Sequence, residues 1–352
     1  MPAEGVFSLE ELLDWSIMTK IRNFFSKIMF LLPSFLSLIG LLFTFAPMYV
    51  IHFKDKTVDP SKWTKSVNII QFFGDFKPFH FVFILFLVFV VVGSVFSLIY
   101  KKNKSFGFIS LYSFVVAMCL FFSQGLFYGY NHVYAYKEMF LGWGGIVTSI
   151  LLALSIFIEF IIAYQNNQMS IRDIAEDGML IAMAFVLHLI KIPVGATGGS
   201  INLQFFPLFL IALRHGPIHG FMCASIIYGL ISWVSSGYSI ATYPFDYFLG
   251  FSGVAFFGIF SKFIFNKEGL YNIRGMFWIF ISGTLALLTR WFGSTLSSVL
   301  NYNVTFVEGL AYNIPYVFFS GIAAIIVMLA LYGPIVKLNE VLNRKKGYRD
   351  EE

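Results

Sequence analysis

Charged residues are scarce in this chain. They make up 12% of the 352 residues, whereas a soluble domain contains about 25%. Mean hydropathy is +0.78, and 58% of the residues are hydrophobic. This composition excludes an ordinary soluble enzyme and is typical of a multi-pass helical membrane protein, in which apolar helices face lipid.

Cysteine is nearly absent, and the common nucleotide and catalytic motifs are missing. Cys119 and Cys223 both lie inside apolar runs, which excludes a disulfide framework and a CxxC metal site. The sequence contains no GxxxxGK[ST], HExxH, GxSxG or GxGxxG. Because the chain has no phosphate-binding loop for ATP, any ATP-driven work has to come from a partner.

Histidines are few, and their spacing does not predict a metal site or a bound cofactor. His215 and His219 are four residues apart, but Gly216 and Pro217 separate them at a predicted cytoplasmic turn. The net charge is +5, yet the basic residues lie beside apolar stretches. Positive-inside topology therefore explains them better than nucleic-acid binding.

Apolar stretches of about 20 residues predict ten membrane-spanning helices in an all-α integral membrane protein. A polar segment, residues 165–177, separates four of them from the other six. The first four spans are predicted at 28–51, 79–100, 106–128 and 141–164. The later six are predicted at 174–192, 203–214 (short), 217–235, 241–264, 276–300 and 309–336.

These spans define the predicted domains. Before the first span, Ser8 and Glu11 form a capping-box pattern, which favours a helix lying on the membrane surface over a mobile tail. The predicted divisions are a surface helix or tail at 1–27, a four-helix domain of unknown role at 28–165, a six-helix bundle at 172–337 and a charged cytoplasmic tail at 338–352.

Orientation follows from the distribution of Lys and Arg, since short loops rich in them stay cytoplasmic. Most basic residues fall on one side when the amino terminus is placed inside. The loop 52–78 disagrees, because it puts several lysines outside. We expect a plasma-membrane protein with both termini in the cytoplasm.

Ionisable groups inside the membrane need an explanation, because each costs at least about 2.5–3.5 kcal/mol at mid-bilayer. Asp246 and Arg290 are predicted at similar depth on two helices, with serines, an amide and aromatic rings at the same level. This set predicts a pocket, open to the outside, for a small polar aromatic ligand. The candidate ligand-binding residues are Asp246, Tyr247, Asn313, Tyr312, Arg290, Ser294, Ser298, Tyr302 and Tyr243.

A plainer interpretation of the same residues remains open. Asp246 and Arg290 form a helix-anchoring pair in this interpretation, and the aromatic rings form an interfacial belt. Nearby, Lys191 is interpreted as a base that extends to the membrane surface, and His188 as a packing residue.

Three stretches of the second half resemble the thiamine-type substrate-binding subunit, or S component, of energy-coupling-factor vitamin transporters. They are 198–233, with GGSINLQFFP and ALRHGP; 244–260, PFDYFLGFSGVAFFGIF; and 311–321, AYNIPYVFFSG. The resemblance implies a non-catalytic six-helix protein with a vitamin site near the outer face. It also implies coupling to a membrane subunit and two ATPase subunits.

The resemblance also implies roles for individual residues. The acidic and aromatic pair of the family's fourth helix corresponds to Asp246 and Tyr247, and the amide of its sixth helix to Asn313. Small residues that contact the coupling subunit correspond to Gly178 and Ala182. The chain departs from the family at Ser294, where a histidine is common, and by having no Trp in residues 193–204.

Thiamine is the expected ligand, because its fixed positive charge and aminopyrimidine suit a carboxylate, an amide and aromatic faces. An anionic vitamin such as folate would prefer Arg290, and riboflavin is a further alternative. Two other classes remain open. An intramembrane enzyme or sensor needs convergent acid-base groups, but 28–165 offers Glu159 and His80 on different helices. A secondary transporter predicts related halves, and no inverted symmetry is visible.

Overall fold

The computed structural model describes nine stretches of the chain. They are residues 28–53, 64–71, 80–99, 104–131, 136–165, 170–194, 199–265, 272–302 and 304–347. The predicted surface helix before residue 28 lies outside the described residues, as does the end of the charged tail after residue 347. The chain divides into two compact units: residues 1–118 with 136–166, and residues 119–135 with 167–352.

Unit 1 contains long apolar helices and a small antiparallel sheet. The strands run in the order β2-β1-β3, with Tyr49 opposite both Val67 and Leu141. Helix α3 is divided between the two units. The elements are α1 (Ile28–Phe43), β1 (Tyr49–Phe53), β2 (Thr64–Val67), α2 (His80–Ile99), α3 (Lys104–Asn131), β3 (Tyr136–Leu141) and α4 (Trp143–Gln165).

The predicted first span at 28–51 is wrong in its last third. The helix ends at Phe43, and the chain enters β1 at Tyr49. Pro47 lacks the backbone N–H that a continuing helix needs, and the β-branched Val50 and Ile51 fit a strand. The apolar run is therefore continuous in sequence but divided between two kinds of structure.

Hydroxyl groups connect the helices of unit 1. Ser37 Oγ and Ser94 Oγ lie 2.9 Å apart, and Thr148 donates to the Gly40 carbonyl over 2.9 Å. Buried Glu159 accepts a hydrogen bond from Ser97 at 2.9 Å. Such contacts let apolar helices associate where lipid supplies no hydrophobic driving force between them.

Unit 2 is a helical bundle with one two-stranded ribbon. Ser170 caps α5 through a reciprocal capping box with Asp173. The helices are α5 (Ile171–Leu189), α6 (Phe205–His215), α7 (Pro217–Ser236), α8 (240–259), α9 (Ser261–Ile264), α10 (Ile273–Tyr302), α11 (Phe306–Ala330) and α12 (Tyr332–Gly347). The ribbon pairs β4 (Ile192–Val194) with β5 (Gly199–Ile201).

Two helices of unit 2 contain π-helical turns, at Met222–Tyr228 in α7 and Tyr243–Leu249 in α8. Each such turn inserts an extra residue per hydrogen-bonded ring and rotates the side chains that follow. Stacked rings fill the core between the helices. Phe209 and Phe257, for example, have centroids 4.3 Å apart.

Six helices among the described residues are long and apolar enough to cross a membrane. The predicted class, an all-α integral membrane protein, is confirmed. The five strands are short and were not predicted. The total of ten spans stays a prediction. Of the four other predicted spans, α1 and α6 are shorter than a full crossing requires, and α5 and α8 are not among these six helices.

Close packing of α10 against α11 depends on Gly321, since a Cβ there would overlap the Leu287 side chain. We expect Gly321→Ala to lower the free energy of unfolding by about 1–3 kcal/mol through overpacking. Gly178→Ala is the matched control, because a Cβ at this exposed position meets nothing within 4 Å. Thermal melting of the purified protein in detergent compares the two variants, and equal melting temperatures would contradict this packing.

Candidate functional site

A cavity of about 660 Å³ lies within unit 2. Ligand sites for small molecules typically measure about 300–1,000 Å³. Its walls come from the end of α5, from β5 and the residues after it, and from α7, α8, α10 and α11. The lining includes these predicted residues: Asp246, Tyr247, Arg290, Ser294, Ser298, Tyr302 and Tyr312.

An ion pair forms one wall of the cavity. Arg290 Nη2 lies 3.2 Å from Asp246 Oδ1, and Arg290 Nη1 donates to the Asp246 backbone carbonyl. Ser294 donates to the same Oδ1 over 2.6 Å. None of the described residues donates a hydrogen bond to Asp246 Oδ2. Asp246 thus binds the arginine through its backbone carbonyl and Oδ1, while its Oδ2 keeps its acceptor capacity.

Aromatic rings also hold the Arg290 guanidinium. Its central carbon lies 4.4 Å from the Phe251 ring centroid and 5.7 Å from that of Tyr247. Arg290 is only 9% exposed. Cation–π contacts of this kind stabilise a desolvated guanidinium by about 2 kcal/mol, so both its edge and its face are occupied by protein.

Two glycines bring α8 and α10 close enough for this pairing. A Cβ at Gly250 would come within 2.9 Å of Arg290 Nη1, and a Cβ at Gly293 would overlap the Phe245 carbonyl. The π-helical turn at Tyr243–Leu249 contains Asp246 itself. Pi-helical turns are frequent at functional sites because they redirect side chains.

Five tyrosines contribute aromatic rings to the lining. Tyr247 is fixed by a 2.6 Å hydrogen bond with Ser236, and Tyr312 packs edge-to-face on Tyr316 with centroids 5.8 Å apart. Rings in such positions offer flat faces to an aromatic or cationic ligand. The lining tyrosines are Tyr238, Tyr247, Tyr302, Tyr312 and Tyr316.

Asn313 lies behind the cavity lining. It is fully buried, donates to Ser298 Oγ at 3.0 Å and to the Gly309 carbonyl at 2.6 Å, and accepts from Tyr316. Its position orients Ser298 and Tyr316, which do line the cavity. The assignment of Asn313 to direct ligand contact stays a prediction.

Tyr243 also lies outside the lining of this cavity. Its hydroxyl donates to the Ser225 carbonyl at 3.3 Å, and its ring packs against Trp233 with centroids 5.8 Å apart. Its predicted ligand contact likewise remains untested.

Several lining residues were not predicted from the sequence. His188 and Lys191 were interpreted as packing and surface-reaching residues, yet both line the cavity. Gln204 accepts a 2.6 Å hydrogen bond from buried Tyr228 and also lines it, as does the exposed Glu308. His188 lies in the last turn of α5, and Lys191 lies two residues beyond the end of that helix at Leu189. The signal available in the sequence was that both are ionisable groups within one predicted membrane span.

The predicted partner contacts, Gly178 and Ala182, lie on the exposed side of α5. They are one helical turn apart, and a Cβ at Gly178 would meet nothing within 4 Å. Small exposed residues at this spacing let another helix approach closely.

Comparison with known proteins connects this unit to a transporter family. Residues 174–340 match the model of the thiamine transporter protein family, Thia_YuaJ. The resemblance predicted from the sequence is confirmed over these residues. This family is one of transporters rather than enzymes, and the six apolar helices indicate a multi-pass membrane protein. No curated protein sequence matches the chain.

Two solved structures align with about half of the chain. One is described as ThiT from Listeria monocytogenes; it shares 22% identity over 47% of this chain and 96% of that chain, with a TM-score of 0.42. The other is described as the S component of a bacterial ECF transporter, with 20% identity, 50% and 98% coverage and a TM-score of 0.36.

Asp246→Asn tests the ion pair directly. Loss of the carboxylate leaves the nearly buried Arg290 without its counter-charge, and we expect unfolding free energy to fall by about 1–3 kcal/mol. Glu308→Gln is the matched control, since this exposed residue lines the same cavity and Gln preserves the capping box with Thr305. Melting temperatures of both variants measure the difference. When Arg290 is already replaced by Met, the further substitution Asp246→Asn should lower the free energy of unfolding much less. An equal loss of stability in both backgrounds would refute the pairing.

Proposed function

We propose that this chain is the substrate-binding membrane subunit of an ATP-driven vitamin uptake system, with thiamine or a related aminopyrimidine as its ligand. The match of residues 174–340 to the thiamine transporter family supports the vitamin-binding role. The polar cavity within the same residues supplies a site of suitable volume.

The charge arrangement of the cavity supports thiamine as the ligand. Arg290 is engaged by Asp246 and by the Phe251 ring, whereas Asp246 Oδ2 accepts no hydrogen bond from the described protein groups. A thiazolium cation placed among the tyrosines gains cation–π attraction of about 0.5–2 kcal/mol and lies near this carboxylate. Ring hydroxyls and serines supply partners for the aminopyrimidine.

Other ligands remain alternatives within the same role. Folate carries carboxylates, and the exposed Lys191 and the His188 ring are the groups on the cavity wall that would attract them. Riboflavin is uncharged in its ring system and would rely on stacking with the tyrosines. A self-sufficient secondary transporter is the alternative outside this class.

Energy for uptake comes, in this proposal, from a coupling membrane subunit and two ATPase subunits, because the sequence contains no phosphate-binding loop. The exposed Gly178 and Ala182 form the contact with the coupling subunit. The cavity opens to the outside and both termini lie in the cytoplasm. The proposal assigns no role in uptake to residues 28–165.

We expect purified protein to bind thiamine without ATP, and a neutral thiophene isostere of thiamine at least about tenfold more weakly, because the isostere lacks the cation. In Asp246→Asn protein, thiamine affinity should fall by roughly 30-fold or more, and the preference for thiamine over the isostere should shrink. Isothermal titration with thiamine, the isostere, riboflavin and folate makes the measurement.

Binding by folded Glu308→Gln protein serves as the control for a general change in cavity charge. If none of the vitamins binds, the vitamin-binding proposal is wrong. If folded Asp246→Asn protein keeps its full thiamine preference, Asp246 is not the counter-ion, and an anionic ligand becomes the better candidate.

Ala182→Trp tests the proposed partner surface. The large side chain should prevent close helix approach and reduce co-purification with a coupling subunit at least tenfold, while vitamin affinity stays unchanged. Ala330→Trp is the matched control, since Ala330 is also exposed but lies at the end of α11. Uptake into vesicles by the chain alone, without ATPase subunits, would instead favour the secondary transporter.

A further inference from the structure

Three potential metal ligands converge in unit 2 at residues that do not line the vitamin cavity. Asp177 Oδ1 lies 2.5 Å from His215 Nδ1, and Asp177 Oδ2 lies 3.1 Å from His219 Nδ1. One donor atom from each residue lies within 4.8 Å of the other two. Donors bound tetrahedrally to Zn²⁺ at 2.0–2.1 Å stand about 3.3 Å apart, so small side-chain rotations bring these three to an ion.

The backbone fixes the two histidines relative to each other. His215 ends α6, and Gly216 turns the chain with φ of 98° before Pro217 begins α7. A Cβ at Gly258 would overlap Pro217, so the turn is packed tightly against α8. Ligands on such a restrained turn lose little conformational entropy on binding a metal.

Charge also favours a cation at this position. Asp173 Oδ1 and Glu176 Oε2 lie 3.8 and 3.5 Å from His215 Nε2, while Arg214 pairs with Glu176 at 2.7 Å. With Asp177, three carboxylates face one guanidinium, which leaves a formal charge of −2 when both imidazoles are neutral. A divalent cation balances that charge in a partly buried environment.

The surrounding carboxylates fit a second role found at metal sites. Ligating histidines usually donate their other ring N–H to a carboxylate, which fixes the tautomer and raises ligand basicity. His215 bound through Nδ1 would present Nε2–H to Glu176 and Asp173. His215 Nε2 is buried and makes no hydrogen bond with the part of the chain that the structure describes, so a small approach of Glu176 would satisfy it.

We propose that Asp177, His215 and His219 bind one divalent transition-metal ion, with Zn²⁺ as the preferred occupant. Two imidazoles and one carboxylate form a three-ligand set that leaves a fourth position for water. The ion would join α5 to the α6–α7 turn and stabilise the bundle. This inference does not depend on the proposed transport function.

The test uses full-length protein freed of any affinity tag and treated with a chelator. Titration with Co²⁺, a spectroscopic substitute for Zn²⁺, should give the visible d–d bands of a tetrahedral site at one ion per chain, and Zn²⁺ should displace them. Since loss of a ligand's hydrogen-bond partner alone costs 10–100-fold in affinity, His215→Ala and His219→Ala should each weaken binding more than about 100-fold. His188→Ala is the control and should bind Co²⁺ with the same affinity as the unmodified protein.

A second measurement uses the unmodified protein, so that the proposal is tested even where the histidine variants do not fold. Zn²⁺ at about 100 times its Kd should raise the melting temperature of the unmodified protein by roughly 5 °C or more. Absence of d–d bands together with an unchanged melting temperature would mean that Asp177 only accepts hydrogen bonds from the two histidines, and would overturn the proposal. Bands that persist in both folded histidine variants would place the metal elsewhere and overturn it equally.

Discussion

The ion pair between Asp246 and Arg290 is the contact on which the cavity of unit 2 depends. A lone charge in an apolar helical bundle costs several kcal/mol, so each group requires the other, and the pair links α8 to α10. Its geometry in turn requires the close approach that Gly250 and Gly293 permit. Substitutions in this small group of residues therefore affect stability and cavity shape together.

Pairing also changes what the cavity offers a ligand. A free guanidinium would select anions, but the Arg290 guanidinium contacts Asp246 through Nη1 and Nη2, and its flat face packs on the Phe251 ring. The remaining wall is rich in tyrosines and hydroxyls, with Glu308 and Lys191 of opposite charge. In the proposed function, recognition rests on stacking and on one carboxylate oxygen, which suits an aromatic cation better than a multiply charged anion.

Helix α5 carries three distinct sets of residues on different sides. Buried Asp177 meets the two histidines near its start, neighbouring Gly178 is exposed, and His188 near its end lines the cavity. With a period of 3.6 residues, one helix presents separate faces to separate neighbours. The sequence alone did not reveal the convergence with Asp177, because that residue lies about 40 positions before the histidines.

The sequence by itself determined the properties that are local and periodic. Low charge and long apolar runs predicted a helical membrane protein, and three-to-four-residue spacing placed Ser294 and Ser298 on one face of α10, where both line the cavity. The tertiary structure alone decided the pairing of Asp246 with Arg290, the position of Asn313 behind the lining and the end of α1 at Phe43. Hydropathy and helical period describe which face of a segment is apolar. They do not specify which distant side chain a buried charge or amide meets, because that depends on how the helices pack.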